Sequence, residues 1–116
     1  MATTKNDMRD LVLQHLGVFE VGEAATADDA AIVESTIDGV FEEMVAQELA
    51  YWETTDFPDE IKMPFRDTVA ARLGGTFQLP LARMQFLKSE GAQGWRDVRR
   101  HAANRPKSDS VKAVYY

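Results

Sequence analysis

Glu34, Asp38 and Glu42 recur at four-residue intervals, a spacing that stacks three carboxylates along one face of a helix. Carboxylates so placed can bind a divalent cation or share a proton. The plainer alternative is a solvated face, or one that meets arginines of another subunit. No histidine and no second acidic cluster of matching spacing joins the stripe, which favours the alternative. Like charges at this spacing cost an isolated helix about 0.2–0.5 kcal/mol per pair, so the stripe is better tolerated with a cation opposite. The converse feature is Arg96, Arg99 and Arg100, which share one helical face and precede Arg105 and Lys107; Asp97 falls on another face. A basic face can hold phosphates and is the best nucleic-acid signal in the chain. Against that, no nucleic-acid motif surrounds it and Trp95 is its one neighbouring aromatic. Arginine equally suits desolvated ion pairs at a protein interface, and that role is preferred.

Other chemistry is scarce. There are two histidines, and neither His15 nor His101 has a partner at metal-ligand spacing, so both read as structural. The chain has no cysteine, which removes disulfides, thiolate metal sites and a cysteine nucleophile, and suits a reducing compartment. No nucleophile elbow or Ser-x-x-Lys surrounds any serine. Gly74-Gly75 is not followed by the Lys-Ser/Thr of a phosphate loop and reads as a helix end. No catalytic residue, metal centre or cofactor is expected, and hence no enzyme.

Four helical segments must carry these residues. The first spans about Thr4 to Leu16, with Met8, Leu11, Val12, His15 and Leu16 at helical spacing and Gly17 as a left-handed cap. A connector, VFEVGEAA, follows. The second helix starts at Thr26-Ala27-Asp28-Asp29, a cap hydroxyl followed by acids that favour the positive helix end. Its apolar stripe is Ala30, Val33, Ile37, Val40, Phe41, Met44 and Val45, ending near Leu49, and the interior Gly39 would be explained by a close helix crossing. Pro58 suits a first helical position, but Pro64 predicts a short turn over 58–62 and a third helix proper from Pro64 to Phe77, burying Val69, Ala70, Leu73 and Phe77. The fourth helix runs from about Pro80 to Ala103 on Leu81, Met84, Leu87, Trp95, Val98 and Ala102, with a kink or break at Gly91 and Gly94. Asn104 and Pro106 end it. The fold class is therefore all-α, a small bundle of about four helices over residues 1–104, with an extended arm over 105–116.

The 116 residues suffice for one domain, and a hydrophobic fraction of 45% with 28% charged is that of an ordinary soluble protein. No run reaches the length of a membrane span, and MATTKNDMRD lacks the apolar run of a signal peptide. The net charge of −6 hides a division: residues 1–64 hold three Lys/Arg and fifteen Asp/Glu, whereas residues 65–116 hold ten and four. Such a molecule either neutralises itself within one fold or stacks head to tail with copies of itself.

Several segments resemble the head-tail adaptor (head-completion) proteins of tailed bacteriophages. In that family a first helix commonly ends in Leu-Gly-Val, a Gly-Glu connector follows, and a Thr/Ser-x-x-Asp-Ala start opens the next helix. Here these are Leu16-Gly17-Val18, Gly22-Glu23 and Thr26 to Ala30. Val69-Ala70-Ala71-Arg72-Leu73 with Phe77 is similar to the family's Leu-Ala-Ala-Arg-Leu helix, and a long fourth helix and an aromatic-ended arm follow in the same order. Ile37-Asp38-Gly39, Met44 and Gly74-Gly75 depart from the usual Leu-Asn, Trp and Ala-Pro. The resemblance implies a non-enzymatic virion protein of the neck, made in the host cytoplasm. It implies a dodecameric ring beneath the portal that extends the DNA channel and docks the next stopper, nozzle or tail protein. Contact with packaged DNA would be non-specific proximity, with no membrane involved.

The residues fit those expectations. Opposite charge in the two halves suits a heterologous, closing interface, with Arg96, Arg99 and Arg100 as its basic face. Glu34, Asp38 and Glu42 are its acidic face, or a channel lining that repels phosphates. In the arm, Arg105 and Pro106 lead to Val111, Ala113, Val114, Tyr115 and Tyr116, an alternating run able to add as a strand to a portal or neighbouring subunit. The alternative is a small helical DNA-binding regulator or packaging factor that uses the basic face on phosphates.

Overall fold

Thr4 starts the first helix, α1 (Lys5–Leu16): its hydroxyl accepts from the Asp7 amide while the Asp7 carboxylate accepts from the Thr4 amide, a reciprocal capping box. Gly17 closes it at φ 78, a left-handed conformation that costs glycine least. The computed structural model describes residues 3–17 and 27–104; the Thr26 cap, the connector and the arm of 105–116 lie outside the described residues. The remaining helices are α2 (Ala27–Ala46), α3 (Asp59–Leu73) and α4 (Leu81–Asn104). Among the described residues there is no strand, only the isolated bridges Thr3–Phe57 and Glu53–Asp56, so the fold is all-α. None of these helices is long and apolar enough to cross a membrane.

Three expectations about the helices are corrected. Pro64 lies inside α3, which begins at Asp59 after Pro58 as its extended N-cap. Proline's missing amide would have bonded the Glu60 carbonyl, and Glu60 is exposed in the first turn, where water can serve that carbonyl. The helix therefore survives there and instead ends at Leu73, before Phe77. Second, α4 is continuous through Gly91 and Gly94. Third, the close crossing is at those two glycines and not at Gly39, around which a Cβ would meet nothing within 4 Å. A Cβ on Gly94 would lie 2.5 Å from the Pro64 carbonyl oxygen, and one on Gly91 would collide with the Ala71 Cβ. These glycines seat α4 on α3 backbone to backbone.

The core is built mainly by α1, α2 and α3. Met8, Val12, Leu13 and Leu16 meet Val33, Ile37, Val40 and Met44, and both rows close on Ile61, Phe65, Val69, Ala70 and Leu73. The loop between α2 and α3 adds Leu49, Trp52 and Phe57; Trp52 packs edge-on to Phe65, and Phe57 lies 4.8 Å from Phe65 between ring centres. Val45, placed in the apolar stripe by spacing, is half exposed, and Leu13, outside the expected stripe, is buried. α4 contributes only Leu87 and Val98 as fully buried apolar side chains, while Leu81 is 67% exposed. Among the described residues the α4 backbone runs close to that of α3 alone and reaches α1 only through long polar side chains, whereas α3 lies against all three other helices.

Candidate functional site

The acidic stripe stands on α2 opposite α1. Lys5 Nζ reaches Asp38 Oδ2 at 2.8 Å, and Arg9 Nη1 reaches Glu34 Oε2 at 3.0 Å. Hydrogen bonds to Asp10 and then Glu34 raise the Arg9 guanidinium further above its ordinary value. The cation that such a stripe needs is thus supplied from the same chain for two of the three carboxylates. Glu42 is exposed and has no ion pair among the described residues. At the other end of α2, Glu43 receives both terminal nitrogens of Arg72, whose Nη2 lies 2.9 Å from Oε1. That bidentate bond holds the Glu43 carboxyl below its usual value and raises the Arg72 guanidinium. Arg72 also lies 6.0 Å from the Trp95 ring centre, so one arginine ties α2, α3 and α4 together. It belongs to the segment Val69–Leu73, but nothing in its spacing announced that role.

The basic face is on the outer side of α4. Arg96 donates to Gln93 at 2.8 Å, and Arg100 lies 3.4 Å from Asp97, so Asp97 sits within reach of the basic face despite its position in the helical repeat. Arg99 is exposed and has no ion pair among the described residues. The face therefore carries only local contacts along its own helix, at the end of α4 that leads to residue 105. The acidic and basic faces do not meet each other within the described chain: the first is engaged by α1 and the second by its own helix. The arm residues Arg105, Pro106, Val111, Ala113, Val114, Tyr115 and Tyr116 lie outside the described residues.

At its first turns α4 is apolar and open. Leu81 and Phe86 are both exposed, the latter at 52%, and Leu81 borders a cleft of about 410 Å³ lined also by Gly74, Gly75, Met84 and Lys88 with Ala71 and Gln85. Met84 fits here because Gly74 has no side chain: a Cβ at Gly74 would stand 3.1 Å from Met84 Cγ. Arg83 lies 5.5 Å from the Phe86 ring centre.

A fourth arrangement has no counterpart in the sequence reading. His15, the last basic residue of α1, places Nε2 2.8 Å from Glu90 Oε1 on α4 and 3.6 Å from Asp67 Oδ1 on α3. The glycine crossing brings this about, since Gly91 seats α4 against the Asp67 carbonyl and so sets the neighbouring Glu90 beside Asp67. Arg66 gives two bonds to Asp67 Oδ1, at 2.8 and 3.1 Å, and Arg83 Nη2 donates to the His15 carbonyl at 2.5 Å. Reading histidine partners by local spacing could not find this group, because its members lie 52 and 23 residues apart along the chain. No protein-family model, curated protein or solved structure matches the chain.

Proposed function

We propose that the chain is a head-tail adaptor of a tailed bacteriophage, a structural protein that forms a ring beneath the portal, extends the DNA channel and docks the next neck or tail component. The observation that carries this reading is where the resembling segments fall in the fold. Leu16-Gly17 is the left-handed end of α1, Ala27–Ala30 the first turn of α2, and Val69–Leu73 the last turns of α3, ahead of a 24-residue α4. Motifs that are short and degenerate in sequence thus mark helix ends in one continuous order. An all-α body with its basic face on the outer side of α4 and its acidic face on α2 also supports a ring in which unlike faces of successive subunits meet. Glu42 on one side and Arg99 on the other are then the charges left for a neighbour.

Native mass measurement of the full chain, alone and with the portal ring of the same virus, tests the reading. The expected result is a ring of about twelve copies bound to the portal, a count taken from the family resemblance. A second chain ending at residue 104 should keep its helical circular dichroism and lose portal or ring binding. Failure of the full chain to associate with either itself or the portal would overturn the proposal.

The exposed Arg99 and the locally bonded Arg96 and Arg100 favour one second reading, a helical DNA-binding or packaging factor. It requires duplex affinity that falls steeply with salt, in proportion to the phosphates neutralised. A gel shift at low salt that shows no complex removes it.

A further inference from the structure

We propose that His15, Asp67 and Glu90 form a binding site for a single divalent transition-metal ion of the zinc type, which would clamp α1 to α4 across α3. The three donors come from three helices, and one ligand atom from each lies within 4.8 Å of the other two. Four-coordinate zinc with bonds of about 2.0–2.2 Å to nitrogen and oxygen sets neighbouring ligand atoms roughly 3.3–3.6 Å apart. The observed separations from His15 Nε2, 2.8 Å to Glu90 and 3.6 Å to Asp67, bracket that spacing, so only side-chain rotation is needed to seat an ion.

Charge and burial point the same way. Two carboxylates and a neutral imidazole present a charge of −2 to a divalent ion, and their side chains are only 16%, 20% and 27% exposed for His15, Asp67 and Glu90. The ion would replace the hydrogen bond between Nε2 and Glu90, binding Nε2 of the neutral tautomer that carries its single ring proton on Nδ1, and any proton held between Nε2 and the carboxylate is released to solvent. Arg66 bonds Oδ1 of Asp67, the oxygen that lies 3.6 Å from His15 Nε2, and the other carboxylate oxygen has no hydrogen bond among the described residues, so a turn of the carboxylate lets it keep Arg66 on one oxygen and offer the other to the ion. Arg66 and Arg83 then act as positioning residues, the first on the Asp67 carboxylate and the second on the backbone of His15. The donor set also sorts ions: imidazole suits zinc and its neighbours, whereas magnesium prefers an octahedral shell of oxygens. Mechanically the site joins two helices with no backbone packing between them in the described chain. It is independent of whether the protein builds a phage neck.

The test is a calorimetric titration of the metal-free full chain with zinc chloride, repeated with Glu90→Gln, Asp67→Asn and His15→Gln. One ion per chain is expected for the unaltered protein, with a thermal midpoint that climbs with zinc concentration. Loss of any ligand should weaken binding beyond the roughly 10–100-fold that removal of a supporting group costs. Magnesium at equal concentration should not compete. Because the chain has two histidines, imidazole NMR of the unaltered protein gives a readout that survives any folding defect in the variants: zinc should move the His15 ring signals and leave those of His101 in place. No stoichiometric binding, binding without movement of the His15 signals, or undiminished binding in correctly folded Glu90→Gln and Asp67→Asn would each overturn the proposal.

Discussion

The three-helix core and α4 are held together by different physics. Between α1, α2 and α3 the contact is apolar and side chain to side chain, with fully buried Val12, Leu13, Ile37, Met44, Phe65 and Val69 filling the space between helices. Between α3 and α4 the contact is backbone to backbone at Gly91 and Gly94, bordered by polar groups: the Thr68 hydroxyl, which donates to the Pro64 carbonyl at 2.9 Å, the Asp67–His15–Glu90 cluster, and Arg72 near Trp95. The first kind of contact is stabilised by area removed from water and tolerates small changes of shape. The second depends on the absence of atoms, so one added methyl group is enough to disturb it. That leaves α4 as a rod of about 36 Å at 1.5 Å per residue, anchored along one side and free on the rest to carry interaction surfaces.

Phe65→Ala should produce the largest effect, a loss of about 3–5 kcal/mol in urea denaturation, because it empties the point where the Trp52 and Phe57 rings meet α3. Gly94→Val comes next, at about 1–3 kcal/mol or more, since its side chain meets a backbone carbonyl that cannot rotate away. Amide exchange should quicken through α4 while the α1–α3 amides stay protected, and equal loss of protection everywhere would show that the two regions are one cooperative unit. A smaller and sharper contrast uses one chemical change at two places. Gly39→Ala should stabilise the protein by about 1 kcal/mol, because the position is helical and open, whereas Gly91→Ala should destabilise it. Thermal midpoints moving in the same direction for both variants would contradict the assigned crossing.

The smallest effect is on acid stability. Arg72 lowers the Glu43 carboxyl, and a bond from its own backbone amide followed by one from the Tyr51 hydroxyl lowers Glu60. A folded value below the unfolded one contributes stability that is present above the unfolded value and lost as pH falls through the folded one. Helicity monitored during acid titration should therefore weaken below about pH 4.5, the ordinary value for both groups, and Glu43→Gln should flatten that limb slightly. Both groups are exposed, so salt should reduce the effect.

How much was legible follows from how local each feature is. The start of α1 near Thr4, the left-handed Gly17, the stripe Val33–Ile37–Val40–Met44 and the near-full extent of α4 all depend on residues within one or two turns, and the sequence shows them. Pro64 misled because a proline's cost depends on whether solvent can reach the carbonyl it strands. The glycines misled for a related reason: Gly39 and Gly91 look alike in sequence, and only a neighbouring helix distinguishes them. Leu81 has the right spacing for burial, yet α3 has ended before it could cover that turn.

By itself, the sequence determined the helical class, the order and approximate lengths of the helices, the division of charge between the two halves, and the resemblance on which the adaptor proposal rests. All of these are properties of short windows or of totals. Only the tertiary structure decided that the acidic stripe is met by Lys5 and Arg9 of the same chain, that Arg72 joins three helices, and that His15 has Asp67 and Glu90 for partners. Those are contacts between residues distant along the chain, which only the packing of the helices brings together; the meeting of His15 with Glu90 further needs two glycines without side chains, which let α4 approach α3 closely enough to bring its polar groups to the end of α1.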